Sequence, residues 1–226
     1  VDLGAESIEC DEVLVATGRT PNTRGFGLDE AGVGLDRQGF IQTDDYLRTN
    51  VKGVFAVGDC NGIQMLSHAA DEMGRLAAWT ALRMGRKYKF DPNRIPHVVF
   101  TTPEVAAIGV LEADAPDDAS VAEVAMSAND RALAANATEG FVRLIARPAK
   151  FTKHRAGGKL IGATVVGGSA GEMINEVALM MRRNAYGVRL AQTVRAYPSW
   201  STIMQKAAAR WFYEYEGESA RPPRRN

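Results

Sequence analysis

Two short apolar runs, each closed by a glycine, most constrain what the first part of the chain can fold into. The runs are "VLVATG" (13–18) and "VFAVGD" (54–59). Four consecutive apolar residues bounded by turn residues are typical of a strand buried on both faces of a parallel sheet. Ligands in such sheets bind at the carboxyl ends of the strands. Gly58 and Asp59 stand at such an end, so Asp59 is a candidate ligand-binding carboxylate, although Gly-Asp is also ordinary turn chemistry.

A helix is predicted shortly after the second run. Its spacing predicts a start near Leu66 and Ser67 and a stop at Gly85, and a hairpin turn is predicted upstream at 36–39. The first turn of a helix carries N–H groups without partners and the positive end of the helix dipole, so this start suits negative charge on a bound group. The residues predicted to share one face of this helix are Leu66, Ala69, Met73, Leu76, Thr80 and Met84.

The pattern changes beyond "RKYKFDPNRIP", where two prolines and mixed charges predict a domain boundary near residue 94. Four runs with turns between them predict an antiparallel sheet: "HVVFT", "SVAEVAM", "GFVRLIAR" and "KLIGATVVG". Two helical stretches follow, "AGEMINEVALMMRRN" and "WSTIMQKAAARWFYEYE". The last segment, "GESARPPRRN" (217–226), is polar and contains prolines, so we expect a disordered tail.

Composition excludes some classes of protein. The 27 basic residues balance the 27 acidic ones, which argues against a general binder of nucleic acid or of anionic membranes. No apolar run approaches the roughly 18 residues that span a bilayer. Cys10 and Cys60 are too far apart for CxxC chemistry, and we interpret them as reduced structural thiols of a cytoplasmic protein.

Six motifs, in this order, resemble the C-terminal part of the pyridine nucleotide-disulfide oxidoreductases. They are "VATGRTPN", "GVFAVGDC", "FTTPEVAAIG", "NDRALAANATEGFVRLI", "GGKLIGATVVGGSAGEMI" and "YPSWSTIMQKAA". The "NDRA", "TEGF" and "YPS" elements look closest to the mercuric-reductase-like and dihydrolipoamide-dehydrogenase-like branch. The resemblance implies an α/β fragment of an FAD/NAD(P)-binding fold, followed by an α+β interface domain with an antiparallel sheet and flanking helices.

The resemblance also implies roles for parts of the chain. Residues 1–24 would end the NAD(P)-binding domain, 25–94 would form the C-terminal segment of the FAD-binding domain, and 95–216 would form the homodimer interface. The residues that match cofactor-binding positions are Thr17 and Gly18 at the return to the FAD domain, Gly58 and Asp59 at the flavin ribityl chain, and Leu66, Ser67 and His68 at the helix start near the flavin ring.

Other family motifs are absent from this sequence. Neither a GxGxxG nucleotide fingerprint nor a CxxxxC redox pair occurs in it. All of these belong to the family's N-terminal half, so we expect this chain to be a C-terminal fragment. FAD and NAD(P)H would then be bound mainly by the N-terminal part. We expect the fragment alone to be inactive and to bind FAD weakly or not at all.

Tyr197 stands where family disulfide reductases carry a histidine, and Thr202 stands where they carry its glutamate partner. A phenol titrates near 10, so Tyr197 cannot take up a proton at neutral pH as an imidazole does. Two interpretations stay open. Either Tyr197 is a catalytic residue that assists a metal–thiolate substrate, as in mercuric-reductase-like proteins, or it is a packed interface tyrosine. The C-terminal cysteine pair of typical mercuric reductases is absent.

The remaining candidates favour structural interpretations. His68, His97 and His154 lack metal-ligand spacing, so we expect no metal site. Glu104 is interpreted as structural, and the basic loop 147–159 as a solvated connection. Two hypotheses follow: the parent protein is an FAD-dependent, NAD(P)H-linked oxidoreductase with a disulfide, metal or quinone-like acceptor, or the chain itself is a dimerisation and interaction module without catalysis. Neither nucleic acid nor membrane is expected as a partner.

Overall fold

A computed structural model describes residues 4–82, 88–148, 157–215 and 217–224. The chain forms two compact units, Val1–Phe90 and Asp91–Asn226, and the division lies close to the boundary expected near residue 94. The predicted helix stop at Gly85, most of the basic loop 147–159 and His154 lie outside the described residues. Within the described ranges, no helix combines the length and the apolar character needed to cross a membrane.

The first unit contains one α-helix among its described residues, α1 (Ser67–Ala81). Its buried side chains include Ala69, Met73, Leu76 and Thr80, which confirms the predicted apolar face over the described part of the helix. The predicted hairpin turn also forms, because the Gly39 N–H donates to the Asp36 carbonyl at 3.1 Å and residues 35 and 41 form an antiparallel bridge.

The two buried strands predicted for this unit are absent. Residues 13–15 are exposed coil, with Leu14 91% exposed. The run 54–57 forms only an isolated bridge between Phe55 and Arg48. Strands of a parallel sheet need hydrogen-bonding neighbours on both sides, and no described segment of the unit pairs with 13–18. The apolar pattern was therefore insufficient to predict strand and burial within this chain.

The second unit contains an antiparallel sheet, as predicted, and the sheet has five strands. Its spatial order is β1-β2-β5-β4-β3, so β1 and β3 are the outer strands. The strands are β1 (His97–Val99), β2 (Glu104–Gly109), β3 (Ser120–Ala125), β4 (Phe141–Arg147) and β5 (Lys159–Gly167). Four of them coincide with the predicted runs. The strand β2 was not predicted, although its residues belong to one of the family motifs.

Four α-helices accompany the sheet in the described residues: α2 (Asp130–Ala134), α3 (Ala170–Arg182), α4 (Gly187–Gln192) and α5 (Thr202–Ala209). The helix α3 packs on β2 and β5, while α5 packs on β3 and β4. Their apolar faces form one core with the sheet, in which Leu144, Ile174 and Ile203 are fully or almost fully buried. The second predicted helical stretch is shorter than expected, because α5 ends at Ala209 and Tyr213 is exposed.

The predicted disordered tail is instead ordered over the residues described, 217–224. Arg221 exchanges two backbone hydrogen bonds with Val121 of the outer strand β3. Its guanidinium also pairs with Glu112. The prediction of disorder from composition is therefore wrong for this segment, because the arginine that made it polar has a buried carboxylate as its partner on the domain.

Candidate functional site

The loop that carries Gly58 and Asp59 is seated on helix α1. Gly58 has a φ of 79° and begins a short turn over Asp59–Asn61. Its N–H donates to the Met73 sulfur at 3.3 Å. A Cβ on Gly58 would stand 3.2 Å from the Cβ of Ala70. The glycine is therefore required by its backbone conformation and by the close approach of α1, a reason that the sequence did not indicate.

Arg19 links the predicted site residues within the first unit. Its Nη1 donates to Asp59 Oδ2 at 3.0 Å and to the Met65 carbonyl at 3.5 Å. Arg19 directly follows Thr17 and Gly18, so one guanidinium joins three predicted elements: the 17–18 turn, the Asp59 carboxylate and the segment before α1. Sequence reasoning missed Arg19. The available signal was a basic residue inside the motif "VATGRTPN".

The N-cap residue of α1 makes no side-chain hydrogen bond to the first turn of the helix. Leu66 is the N-cap residue with extended dihedral angles, and no side chain caps the helix. Ser67 and His68 are exposed in the first turn. An N-terminus without a side-chain cap leaves N–H donors and the positive dipole end available. The structure thus places Ser67 and His68 in the exposed first turn of α1, directly after the N-cap residue Leu66.

The Asp59 carboxylate fits a polyol ligand. Its side chain is 53% exposed, and a carboxylate accepts hydrogen bonds from hydroxyl groups. The neighbouring Thr17 and Gly18 are also exposed, with Gly18 at a φ of 101°. Arg19 thus connects an exposed carboxylate, a group able to accept hydrogen bonds from hydroxyls, to the segment before a helix start that favours negative charge.

Tyr197, in the second unit, is exposed and paired with a carboxylate. Its side chain is 73% exposed, and its peptide bond to Pro198 is cis. Interaction with the Asp130 carboxylate, by hydrogen bonding and by its negative charge, raises the pKa of the Tyr197 phenol above its ordinary value. Lys206 opposes the shift. A tyrosine that packs in a homodimer interface is also exposed in the single chain, so this exposure fits both interpretations of Tyr197.

Asn129 brings the Tyr197 loop to the start of α2. It is fully buried and caps α2 by accepting a hydrogen bond from the Arg131 N–H at 2.9 Å. Its side-chain N–H donates to the Trp200 carbonyl at 2.7 Å. Asp130, the first residue of α2, is thereby held beside Tyr197. Sequence reasoning missed Asp130, although an Asn-Asp pair before a short helix is a recognisable N-terminal signal.

Thr202 does not replace the family glutamate as a partner of Tyr197. Its hydroxyl donates to the Ser199 carbonyl at 2.7 Å, at the start of α5. Glu104 is structural, as interpreted: its Oε2 accepts the Gly171 N–H at 2.9 Å and so caps α3, whose own N-cap residue makes no side-chain bond. His97 is exposed on β1. No cluster of three potential metal ligands is found among the described residues.

Comparison with known proteins assigns both units to one family. Residues 95–208 match "Pyridine nucleotide-disulphide oxidoreductase, dimerisation domain", and residues 2–74 match "Pyridine nucleotide-disulphide oxidoreductase". The chain therefore belongs to the pyridine nucleotide-disulphide oxidoreductases. The expectation of this family, of an FAD/NAD(P)-binding fragment and of a dimerisation domain is confirmed.

Its curated relatives include dihydrolipoyl dehydrogenases. Dihydrolipoyl dehydrogenase 3 of Haloarcula marismortui is 38% identical over 204 residues, which cover 89% of this chain and 41% of that protein. The dihydrolipoyl dehydrogenase of Buchnera aphidicola (subspecies Acyrthosiphon pisum) is 37% identical over 199 residues, covering 87% of this chain and 40% of that protein. The chain thus spans about two-fifths of the length of these relatives.

The fold of this chain is also found in part of a longer solved structure. The crystal structure of LpdA from Mycobacterium tuberculosis matches with a TM-score of 0.78 and 32% sequence identity. The match covers 86% of this chain and 41% of that one. A similarity of this extent supports residue-level comparison of the two folds, while it leaves more than half of LpdA without a counterpart here.

Proposed function

We propose that this chain belongs to an FAD-dependent, NAD(P)H-linked oxidoreductase that passes electrons from nicotinamide through flavin to a disulfide, metal or quinone-like acceptor. The observation that carries the proposal is the surface on which Asp59 lies beside the uncapped start of α1, through their common neighbour Arg19. The family assignment supports the same chemistry. In this proposal the second unit, residues 95–216, forms a homodimer, and the protein works in the cytoplasm.

The chain's own residues would hold the flavin rather than react. When bound, FAD would supply two-electron transfer between the nicotinamide and the acceptor. Asp59 would accept hydrogen bonds from ribityl hydroxyls, and the N-terminus of α1 at Leu66, Ser67 and His68 would stabilise negative charge on the reduced ring. Thr17 and Gly18 would approach the same cofactor. FAD and NAD(P)H would be bound mainly by protein outside this chain, so we expect the chain alone to be inactive and to bind FAD weakly.

The exposed run 13–15 supports the proposal that the first unit is completed by other protein. Three consecutive large apolar side chains in open solvent leave a substantial transfer free energy unused. A parallel sheet that supplied strands on either side would bury them and position Gly18 at a strand end. In the proposed whole protein, the prediction of a buried strand would then apply to the assembled domain rather than to this chain.

Substitution of Asp59 tests the cofactor role. In the whole protein, produced from its complete reading frame, Asp59→Ala should weaken flavin binding roughly 10- to 100-fold, because a hydrogen bond to a charged group is removed. The measurement is the flavin absorbance that stays with the protein through gel filtration and dialysis. Asp45→Ala is the matched control, since Asp45 is an exposed carboxylate in a comparable ion pair with Lys89.

The outcomes separate the site from the family proposal. Loss of flavin in Asp59→Ala but not in Asp45→Ala supports the assigned site. Equal retention by both variants would refute the role of Asp59 while leaving a flavoprotein. A whole protein that carries no flavin at all would overturn the proposed function itself.

Tyr197 is proposed to meet the acceptor as a hydrogen-bonding group. A phenol is protonated throughout the neutral range, and the upward shift of the Tyr197 pKa beside Asp130 reinforces this, so Tyr197 cannot serve as the base that deprotonates a dithiol. It can donate to, or accept from, an acceptor that is being reduced. Asp130 is a positioning residue in this proposal.

The Tyr197–Asp130 pair is testable without flavin. Asp130→Asn removes the negative charge and should lower the pKa of Tyr197 toward its ordinary value, while Asp130→Glu should restore the upward shift. The pKa is obtained from the tyrosinate absorbance of each protein after subtraction of the corresponding Tyr197→Phe variant. Identical titration curves with Asp and Asn at position 130 would exclude the pair, and would leave the flavin proposal untouched.

A non-enzymatic role of the chain itself is the second candidate. It is favoured by the second unit, which has a continuous core of its own and matches a dimerisation domain. A stable dimer buries on the order of 1,600 Å². Sedimentation of the chain as a monomer at micromolar concentration would argue against this candidate, and it would say nothing about flavin binding by the whole protein.

A further inference from the structure

Residues 217–224, termed here the strap, lie along the outer strand β3 and beyond the residues 95–208 that match the dimerisation-domain family. The Arg221 N–H donates to the Val121 carbonyl at 2.9 Å, and the Val121 N–H donates to the Arg221 carbonyl at 2.7 Å. These reciprocal bonds are those of an antiparallel ladder. The strap thus joins the β3 side of the sheet through one isolated antiparallel bridge.

Charge fastens the strap to the domain. Glu112 is only 8% exposed and accepts the Arg221 guanidinium and the Arg224 backbone N–H, the latter at 2.8 Å. Arg143 of β4 approaches the same carboxylate at 3.0 Å. Arg221 lies 3.5 Å from Glu123 of β3 as well. A buried carboxylate with two arginines is a specific anchor, because moving the strap away would leave it with Arg143 alone.

A second anchor lies at the end of α5. The Arg210 side chain is buried, and its Nη1 donates to the Glu123 carbonyl and to the Glu218 carboxylate. The Arg210 carbonyl accepts the Ala220 N–H at 3.0 Å. Arg210 therefore holds the strap and the strand at once, and it satisfies a strand carbonyl that the strap backbone does not reach.

The two anchors occupy alternate positions on the open side of β3. Backbone groups of an outer strand point outward at every second residue. Val121 is paired with Arg221, and the next outward carbonyl, that of Glu123, is taken by Arg210. An outer strand with free N–H and C=O groups is a template for pairing with another chain. Here the N–H and C=O of Val121 and the carbonyl of Glu123 are already used.

The opposite edge of the sheet differs. In the described ranges, β1 (His97–Val99) pairs with β2 and with no segment on its other side. Val99 and the adjacent Phe100 are exposed. The sheet thus has one closed edge and one open, apolar edge, and the closure is made by a segment outside the matched family domain.

We propose that the strap closes β3 against strand pairing with a second copy of this chain and so restricts assembly to the other surfaces of the domain. The occupant that it excludes is the β3 edge of another copy, since an antiparallel pair of identical edges is self-complementary about a two-fold axis. The proposal does not rest on flavin binding or on any catalytic role.

Two variants and one matched control test the strap in the full chain. Deletion of 217–226 removes it, and Arg221→Pro removes both the ladder N–H and the guanidinium. Arg224→Ala is the control, because Arg224 contributes its backbone N–H, which alanine keeps. We expect both strap variants to reach about twice the wild-type mass or more in sedimentation as concentration rises, with the control unchanged.

Hydrogen exchange tests the same closure without relying on a variant's folding. In the wild-type chain the Val121 amide should be protected like the interior amides of β4, and in Arg221→Pro it should exchange more than about tenfold faster. A wild-type Val121 amide that exchanges as fast as unstructured backbone would overturn the proposal. So would strap variants that keep the wild-type mass at every concentration.

Discussion

The two units of this chain contain similar apolar runs, yet only one of them forms a sheet. The run at 13–16 is exposed coil. In contrast, β4 (Phe141–Arg147) pairs with β3 and β5, and most of its side chains are buried or half-buried. Both neighbours of β4 are supplied by the same unit, within a few tens of residues. The run at 13–16 has no neighbour in the described part of its unit. An apolar run provides a tendency, and a hydrogen-bonding neighbour decides whether it becomes a buried strand.

The helices of the two units differ in the same way. α3 packs on two strands of its own unit and buries Met173, Ile174 and Val177. α1 buries a stripe of side chains, and it is the one α-helix among the described residues of the first unit. The second unit is thus complete in itself, while the first presents apolar side chains that a folded domain ordinarily covers.

The largest expected effect comes from two leucines in these contrasting positions. Leu144 on β4 is fully buried, and Leu14 is 91% exposed. Leu144→Ala should lower the free energy of unfolding of the second unit by about 2–5 kcal/mol, through lost transfer free energy and the cavity left behind. Leu14→Ala should change the stability of this chain by less than about 0.5 kcal/mol. Urea unfolding followed by far-UV circular dichroism measures both.

The leucine pair also tests how the first unit is completed. In the proposed whole protein, Leu14→Ala should become destabilising, because additional strands would bury that side chain. A large effect of Leu14→Ala in the isolated chain would contradict the exposed position. An effect absent from both the chain and the whole protein would contradict the proposed covering sheet.

Much of the second unit could be predicted from sequence because its partners are local. Four strands and the two longer helices follow from apolar periodicity, and consecutive antiparallel strands find each other through short connections. The strand β2 was missed although β1 and β5 both pair with it, because the alanines of "EVAAIG" give it a weak strand propensity. The strap was also missed, since the polar composition of residues 217–226 does not reveal that Arg221 forms an ion pair with the distant Glu112.

The candidate sites were predictable only in part. Asp59, Gly58 and the start of α1 could be chosen because chain order places a carboxylate just before a helix. Arg19 and Asp130 could not, since each acts through a partner about 40 or more residues away that only folding brings near. The sequence shows which charged and polar groups are able to pair, and only the tertiary fold shows which of them do pair.

An intermediate effect is expected at Glu112, the buried anchor of the second unit. Its arginine partner Arg221 and the other donors lower the pKa of the carboxyl from 4.5 to about 2. Because the folded-state pKa lies below the unfolded one, the stabilisation is present above about pH 4.5 and is lost as pH falls toward about 2. Glu112→Gln should therefore cost on the order of 2–3 kcal/mol at neutral pH, and this difference should shrink on acidification.

Unfolding of the wild type and Glu112→Gln at a series of pH values measures this difference. Glu139→Gln is the control, since Glu139 is an exposed carboxylate in the same unit. A gap between wild type and Glu112→Gln that stays constant from neutral pH down to pH values near 2 would show that packing, rather than ionisation, is responsible for it.

The smallest effect is expected at the ion pair of the first unit. Arg19 and Asp59 are 65% and 53% exposed in their side chains, and solvent-exposed pairs contribute roughly 0–1 kcal/mol. Arg19→Gln should therefore leave the stability of the chain nearly unchanged, in contrast to the buried pair at Glu112. If the Asp59 surface binds a polyol, the same substitution should alter flavin retention by the whole protein while unfolding stays as in the wild type. A stability loss as large as that of Glu112→Gln would mean that Arg19 holds the first unit together, and its proximity to Asp59 would then be structural.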